Sequence, residues 1–296
     1  MRKANAGGGC RVDRAEGRDN LLPCRRRLLL HVRALAVAGR RKCPDHPSST
    51  PTRGPVMSVE IPSLTGLPTV AEPTSAMEVI ELGFGQLDGQ SILDIGCGKG
   101  ALAAALIERG ATITGLDPNE IALEEAKKAA PEAEFHLLSG AELPYEDGAF
   151  DGAIFLNSLH HIPEADMTTA LAEAARVCGA GTTVVVVEPV ADGSYFSAVR
   201  LIDDETEVRA KAQEAIAAAV DAGLFALDLD TSYERVSTFA DKEAFLERVV
   251  SIDPARRERG EAKRAEVFAA LDANGDEGPD GITLIQPMRA QILTVL

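Results

Sequence analysis

The run Ile92-Leu-Asp-Ile-Gly-Cys-Gly-Lys-Gly100 constrains this chain more than any other stretch, because it joins a short apolar segment to a glycine-dense turn and then to helix-forming sequence. Ser91 to Ile95 has the isoleucine-rich character of a strand buried on both faces, and a helix is expected to open at about Lys99. Gly96, Gly98 and Gly100 would let backbone pass close beneath a ligand, with free N–H groups and the positive end of the helix dipole pointing outward. A dinucleotide fingerprint is satisfied in its looser form by Gly96, Gly98 and Ala101. Asp94 argues for another ligand: a carboxylate two residues before the first glycine repels a pyrophosphate and welcomes a cationic or zwitterionic group.

Charge narrows the partners. Residues 1–56 hold 13 Lys and Arg against 4 Asp and Glu, which leaves 17 against 42 for residues 57–296 of a chain whose formal net charge is −16. So acidic a body repels phosphate backbones, and no nucleic-acid partner is expected. The five cysteines, Cys10, Cys24, Cys43, Cys97 and Cys178, form no C-x-x-C pair and no metal-ligand spacing, so no metal is expected and a reducing, cytoplasmic setting is. No run approaches the ~18 apolar residues of a membrane span. The segment 1–56 lacks helical or strand period and is expected to be a disordered basic extension not native to the protein, with Met57 as the working start. A transit peptide is the other reading, against which Asp13, Glu16 and Asp19 count.

After the glycine turn the chain alternates strand and helix. A helix from Pro73 to about Phe84, with Met77, Ile80 and Leu82 as its apolar positions, is expected over the mouth of a sheet. A second strand at 111–116 ends in Asp117, 21 residues after Gly96, where a carboxylate can bridge the hydroxyls of a ribose. The same residue also fits a helix N-cap, with Pro118 at the first helical position and Glu120 closing a capping box. A helix over 121–130 carries Glu124 and Lys128 as an i,i+4 pair. Strands at 134–138, 150–156 and 182–187 follow, and Asn157-Ser-Leu-His-His-Ile162 lies at the carboxyl end of the fourth, the edge at which open α/β sheets bind ligands.

Three of these strings, Asp94 to Gly100, Asp117 and Leu143 to Asp151, together resemble the class I S-adenosylmethionine-dependent methyltransferases over residues 75–190. The five strand–helix units with ligand features at successive strand ends imply a doubly wound α/β sheet, and the resemblance implies its Rossmann-like, seven-stranded version whose last strand runs antiparallel, with S-adenosyl-L-methionine as cofactor. It implies that Asp94, Gly96, Cys97 and Gly98 face the methionine end, and that Asp117 and Pro118 lie at the ribose. Gly140 stands where the family has an acidic residue, so adenine contact is expected through the Ala141 backbone or Glu142. Asn157 is placed beside the cofactor. Similar quinone-precursor and sterol-type enzymes carry a Leu-His-His run, which makes His160 the candidate base or acceptor-orienting group, with Glu188 behind it. His161 is expected to be solvated or packed.

Residues 57–90 are thus expected to form an N-terminal helical cover, 91–190 the cofactor-binding core, and 191–296 a helical insertion or lid with terminal strands on the acceptor side. Within the last, 195–222 reads as one long alanine-rich helix without chemistry, 231–239 as a strand, 241–250 and 254–271 as helices, and 282–295 as a final strand in which Pro287 suits an edge or a bulge. Asp272 to Asp276 mimics a calcium loop but lacks its glycine and its closing glutamate. The function implied is methylation of a small-molecule acceptor. An NAD(P)-linked oxidoreductase and a non-catalytic cofactor-binding module are the alternatives, the first disfavoured by Asp94 and by the lack of a Tyr/Lys pair.

Overall fold

The computed structural model describes residues 73–251 and 254–296. The expectations for 1–56 and for 57–72 lie outside these residues. Eight strands form one sheet: β1 (Ser91–Ile95), β2 (Thr112–Leu116), β3 (Glu134–His136), β4 (Gly152–Leu156), β5 (Thr183–Pro189), β6 (Phe225–Phe239), β7 (Asp276–Gly278) and β8 (Gly281–Val295). Their order is β3-β2-β1-β4-β5-β8-β6, with β1 to β5 parallel, β8 antiparallel to both neighbours, and β7 paired only with β8. The expected seven-stranded path with an antiparallel last strand is therefore present, extended by one short hairpin strand.

The strands read as unbroken apolar runs because the sheet is covered on both sides, and successive residues alternate between the two covers. Ile92, Ile154, Val185, Val187 and Ile292 pack with α1 (Ala76–Phe84) and α2 (Ala101–Ile107). Leu93, Phe155, Val184, Val186 and Leu293 pack with α4 (Glu164–Cys178) and α6 (Thr206–Asp221), while α3 (Glu120–Ala129) follows β2. The strand order reverses between β1 and β4, so the crevice at their carboxyl ends is the switch point at which such sheets take ligands.

Three expectations are corrected and one, for Pro287, is located. Helix α1 does not lie over the mouth of the sheet; its end sits at the amino edge, where a Cβ on Gly83 would come within 3.0–3.3 Å of Val185, Ile292 and Thr183, and where Phe84 abuts Gly152, and Leu82 is exposed. Residues 195–222 form two helices, α5 (Gly193–Val199) and α6, because Asp204 accepts hydrogen bonds from the Thr206 N–H and hydroxyl and starts a new helix there. Strand β8 is interior where it pairs with both β5 and β6, but pairing with β5 stops at Met288 opposite Pro189, so Pro287, paired only with Glu234 of β6, stands at an edge position as expected. Glu124 pairs with Lys127 rather than with Lys128.

Within 191–296, the strands β6 and β8 and helix α6 complete the same sheet and core as residues 91–190. What is appended is smaller. The β6–β8 ribbon runs on past the end of β5, and its Leu284 and Ile282 pack with α5, α7 (Lys242–Val250) and α8 (Pro254–Asn274) in a third apolar cluster beyond the carboxyl edge. Asp272 to Asn274 belong to the last turn of α8, where Lys242 pairs with Asp272.

Candidate active site

The three glycines of the turn serve two different physical needs. A Cβ on Gly96 would stand 2.3 Å from the Ser158 Cβ, and one on Gly100 would stand 2.9 Å from Ala126 of α3, so these two are glycines for packing between protein segments. Gly98 (φ +52°) has nothing within 4 Å of its would-be Cβ and is the one that borders open space. Four of the turn's amides are bonded within the protein: Gly96 and Cys97 donate to the Leu116 carbonyl at 2.7 and 2.9 Å, Gly98 to Asp117 Oδ2 at 2.9 Å, and Gly100 to the Cys97 carbonyl at 3.0 Å. A loop with its N–H groups so used is poorly equipped to cradle phosphate.

Beneath this loop Asp94 is 1% exposed, and its Oδ2 has no hydrogen-bond partner in the protein. Burial, and then the nearby Asp117 charge, push its pKa up to about 7. A buried carboxylate with an unused acceptor costs about 1–3 kcal/mol or more unless something positive or hydrogen-bonding meets it. Cys97 turns away from the loop surface. Its sulfur packs where a Gly115 Cβ would be, and burial, with Asp94 and Asp117 behind it, raises its thiol far above the usual range, so the residue offers backbone rather than side-chain chemistry.

Asp117 is half-buried at the end of β2. It does not cap α3; Asn119 does, its Oδ1 accepting from the Ile121 and Ala122 amides at 3.0 and 3.2 Å. Instead Asp117 ties two turns together, Oδ1 accepting from Asn119 N–H at 2.8 Å and Oδ2 from Gly98 N–H. Each oxygen retains a lone pair. Pro118 is exposed between them, and Ile121 and Leu137, large apolar residues just past the ends of β2 and β3, are 76% and 55% exposed.

The 139–147 segment is held from behind by α4. The Arg176 guanidinium donates to the Leu143 and Tyr145 carbonyls and to Glu173, while Glu173 accepts from the Leu143 N–H. Gly140 is buried, and a side chain there would meet Ile95 at 2.8 Å, which is why no acidic residue stands at that position. Ala141 is half-buried and Glu142 exposed.

At the end of β4, Asn157 has φ +54°, the one positive φ outside glycine among the described residues, and its buried Oδ1 lacks a partner. A short 3-10 turn, Leu159–His161, follows. Glu188, at the end of β5, organises it: Oε1 accepts from the Ser158 and Leu159 amides at 3.1 and 2.9 Å, and Oε2 meets His160 Nδ1. His160 is 4% exposed, and its Nε2 faces Glu205 Oε2 at 3.9 Å. His161 is exposed at its edge, its ring 4.0 Å from that of His160, and the surrounding protein followed by His160 lowers its pKa.

Glu205 is the residue that sequence reasoning missed. It sits where α6 begins, is buried, and pairs with Arg209 and Arg256, each at 2.7 Å. The available signal was the Asp203-Asp204-Glu205-Thr206 run, which reads as a helix start inside what periodicity joins into one helix.

A model of the methyltransferase domain matches residues 92–182. The chain is 37% identical over 107 residues to a ubiquinone biosynthesis O-methyltransferase of Alkalilimnicola ehrlichii, covering 34% of this chain and 42% of that protein. It is 34% identical over 107 residues to the O-methyltransferase resE of Aspergillus sclerotiorum, covering 34% and 40%. The similarity thus spans about two-fifths of the length of these curated relatives. Among solved structures, a Bacillus halodurans C-125 protein described as a candidate methyltransferase superposes with a TM-score of 0.53 at 16% identity, over 74% of this chain and 97% of that one. The YcgJ protein of Bacillus subtilis does so with a TM-score of 0.51 at 19% identity, over 74% and 99%. At such identities the likeness shows the fold, the Rossmann-like methyltransferase sheet.

Proposed function

We propose, from the premise that residues 92–182 are a methyltransferase domain, that the whole chain is an S-adenosylmethionine-dependent methyltransferase acting on a hydroxyl of a small-molecule acceptor. The observation that carries the cofactor reading is the buried, unpartnered Asp94 oxygen beneath a loop whose Gly96, Cys97, Gly98 and Gly100 amides are already bonded and whose Gly98 borders open space. That combination suits a positively charged amino or sulfonium group and disfavours a pyrophosphate. The cofactor supplies an activated methyl on sulfur, open to in-line attack.

The protein's part is positioning. Asp94 holds the cationic end and Asp117 accepts from ribose hydroxyls through its remaining lone pairs. Ile121 and Leu137 offer apolar surface to the adenine, beside the Ala141 backbone and Glu142. Asn157 Oδ1 offers a second acceptor at the switch point. His160, its Nδ1 proton fixed by Glu188, is assigned an acceptor-orienting role at the same edge, and the O-methyltransferase relatives support oxygen as the acceptor atom. The acceptor side lies under the α5, α7 and α8 cluster.

Thermal melting with S-adenosylhomocysteine, with NADH and with no ligand tests the reading. Stabilisation by S-adenosylhomocysteine alone is expected, by mass action. A shift with NADH alone overturns it in favour of an oxidoreductase. For His160, methyl transfer by His160→Ala with an unchanged acceptor KM and an unchanged pH profile would remove it from the acceptor side.

A further inference from the structure

Among the described residues, one group of three metal-capable side chains converges: His160, His161 and Glu205 each bring a ligand atom to within 4.8 Å of the others. We propose that these three residues bind a divalent transition-metal ion of the Zn²⁺ class at the carboxyl edge of β4 and β5. The location is the acceptor side of the reading above, but the site rests on its own geometry.

The tautomer comes first. Glu188 accepts two backbone amides on Oε1, and its Oε2 meets His160 Nδ1, so in the neutral imidazole that metal binding requires, Nδ1 carries the proton toward Glu188 and Nε2 carries the lone pair. That lone pair faces Glu205 Oε2, another acceptor, at 3.9 Å, too far for a hydrogen bond. Two ligand atoms each about 2.1 Å from one ion lie about 3.4 Å apart at a tetrahedral angle and about 4.2 Å apart when opposed, which brackets this separation. A carboxylate behind a ligating histidine is the arrangement that orients imidazole on a metal, and Glu188 stands there already.

The donor set decides the metal. Two imidazoles and one carboxylate suit Zn²⁺, Co²⁺ and similar ions, whereas Ca²⁺ and Mg²⁺ take oxygen ligands. The surrounding charge does not by itself draw a cation: Glu188, Glu205 and Asp203 are matched by Arg209, Arg256 and, at the rim, Arg259. Arg209 shares Glu205 Oε2 at 2.7 Å, so the carboxylate ligates while clamped, and nitrogen ligation supplies the preference. Three protein ligands leave an open position, which an acceptor oxygen or water would occupy.

The test is metal binding by the full chain, with neither cofactor nor acceptor present, so that its failure is distinct from failure of the methyltransferase reading. Protein stripped with chelator is titrated with Zn²⁺ and with Co²⁺. One equivalent is expected, with a visible Co²⁺ spectrum lacking the thiolate charge-transfer band that Cys10, Cys24 or Cys43 would introduce. Affinity should fall at least about ten-fold in His161→Ala and in Glu205→Gln, about 10- to 100-fold in Glu188→Gln as the group behind the ligand, and not at all in His136→Ala. His161 is exposed, so its variant should keep the fold if Glu205→Gln does not. No uptake, thiolate-bound Co²⁺ alone, or uptake unmoved by His161→Ala would overturn the site.

Discussion

A carboxylate buried at Asp94 is unfavourable in the empty protein and becomes favourable when a cation arrives. Its pKa is raised from 3.8 to about 7, so the folded state holds this proton where the unfolded state has lost it. Stability from this group is therefore full below about pH 4 and is lost as pH rises through about 7, on the order of 4 kcal/mol across the window. Melting curves of the ligand-free protein from pH 4 to 8 should show that loss, and Asp94→Asn should flatten it. Affinity for S-adenosylhomocysteine should rise through pH 7 in the wild type and be weak and pH-independent in the variant. Asp117 makes a second test. Asp117→Ala leaves the Gly98 and Asn119 amides without their acceptor, which should cost about 1–3 kcal/mol of stability. It should also cost about 2–4 kcal/mol of S-adenosylhomocysteine affinity if two ribose hydroxyls donate to it, roughly 30- to 1,000-fold. A 2′-deoxy analogue checks the cause by calorimetric titration: removing the hydroxyl should weaken binding to the wild type and not to Asp117→Ala, and equal losses in both would take Asp117 away from the ribose.

Within the β1–α2 turn, the three glycines should respond differently to one added methyl. Gly96→Ala pushes against Ser158 at a backbone φ of +79°, and the overlap and the left-handed strain together should cost about 2–5 kcal/mol, seen as a large drop in melting temperature. Gly98→Ala meets no protein atom and should cost about 1 kcal/mol of stability, yet reduce S-adenosylhomocysteine affinity more than ten-fold because the methyl enters the space a ligand would use. Unchanged affinity in Gly98→Ala would move the ligand away from this turn. Sequence spacing marks all three positions alike. Which glycine yields to protein and which to ligand depends on Ser158 and Ala126, residues 62 and 26 positions downstream of their partners. The break between α5 and α6 was hidden for a related reason: alanine-rich sequence sustains helical period across it, and a local Asp204–Thr206 turn overrides propensity.

For the molecule as a whole, the sheet, both of its covers and every candidate site residue come from residue 73 onward. A chain beginning at Met57 should therefore match the full chain in melting temperature and in S-adenosylhomocysteine affinity, and a clear loss of either that salt reproduces in the full chain would show the +9 segment 1–56 acting on the −25 remainder. By itself the sequence determined the strand–helix alternation, the doubly wound class and the positions of Asp94, Asp117 and the His160 turn. These follow from features local in the chain: apolar runs of strand length, glycines between strand and helix, and polar residues at strand ends. Packing alone leaves Asp94 Oδ2 without a partner, engages the Gly96, Cys97, Gly98 and Gly100 amides within the protein, inserts β8 between β5 and β6, and sets Glu205 against His160. Burial, hydrogen-bond saturation and the meeting of side chains 45 residues apart are properties of how segments pack, and no local pattern encodes them.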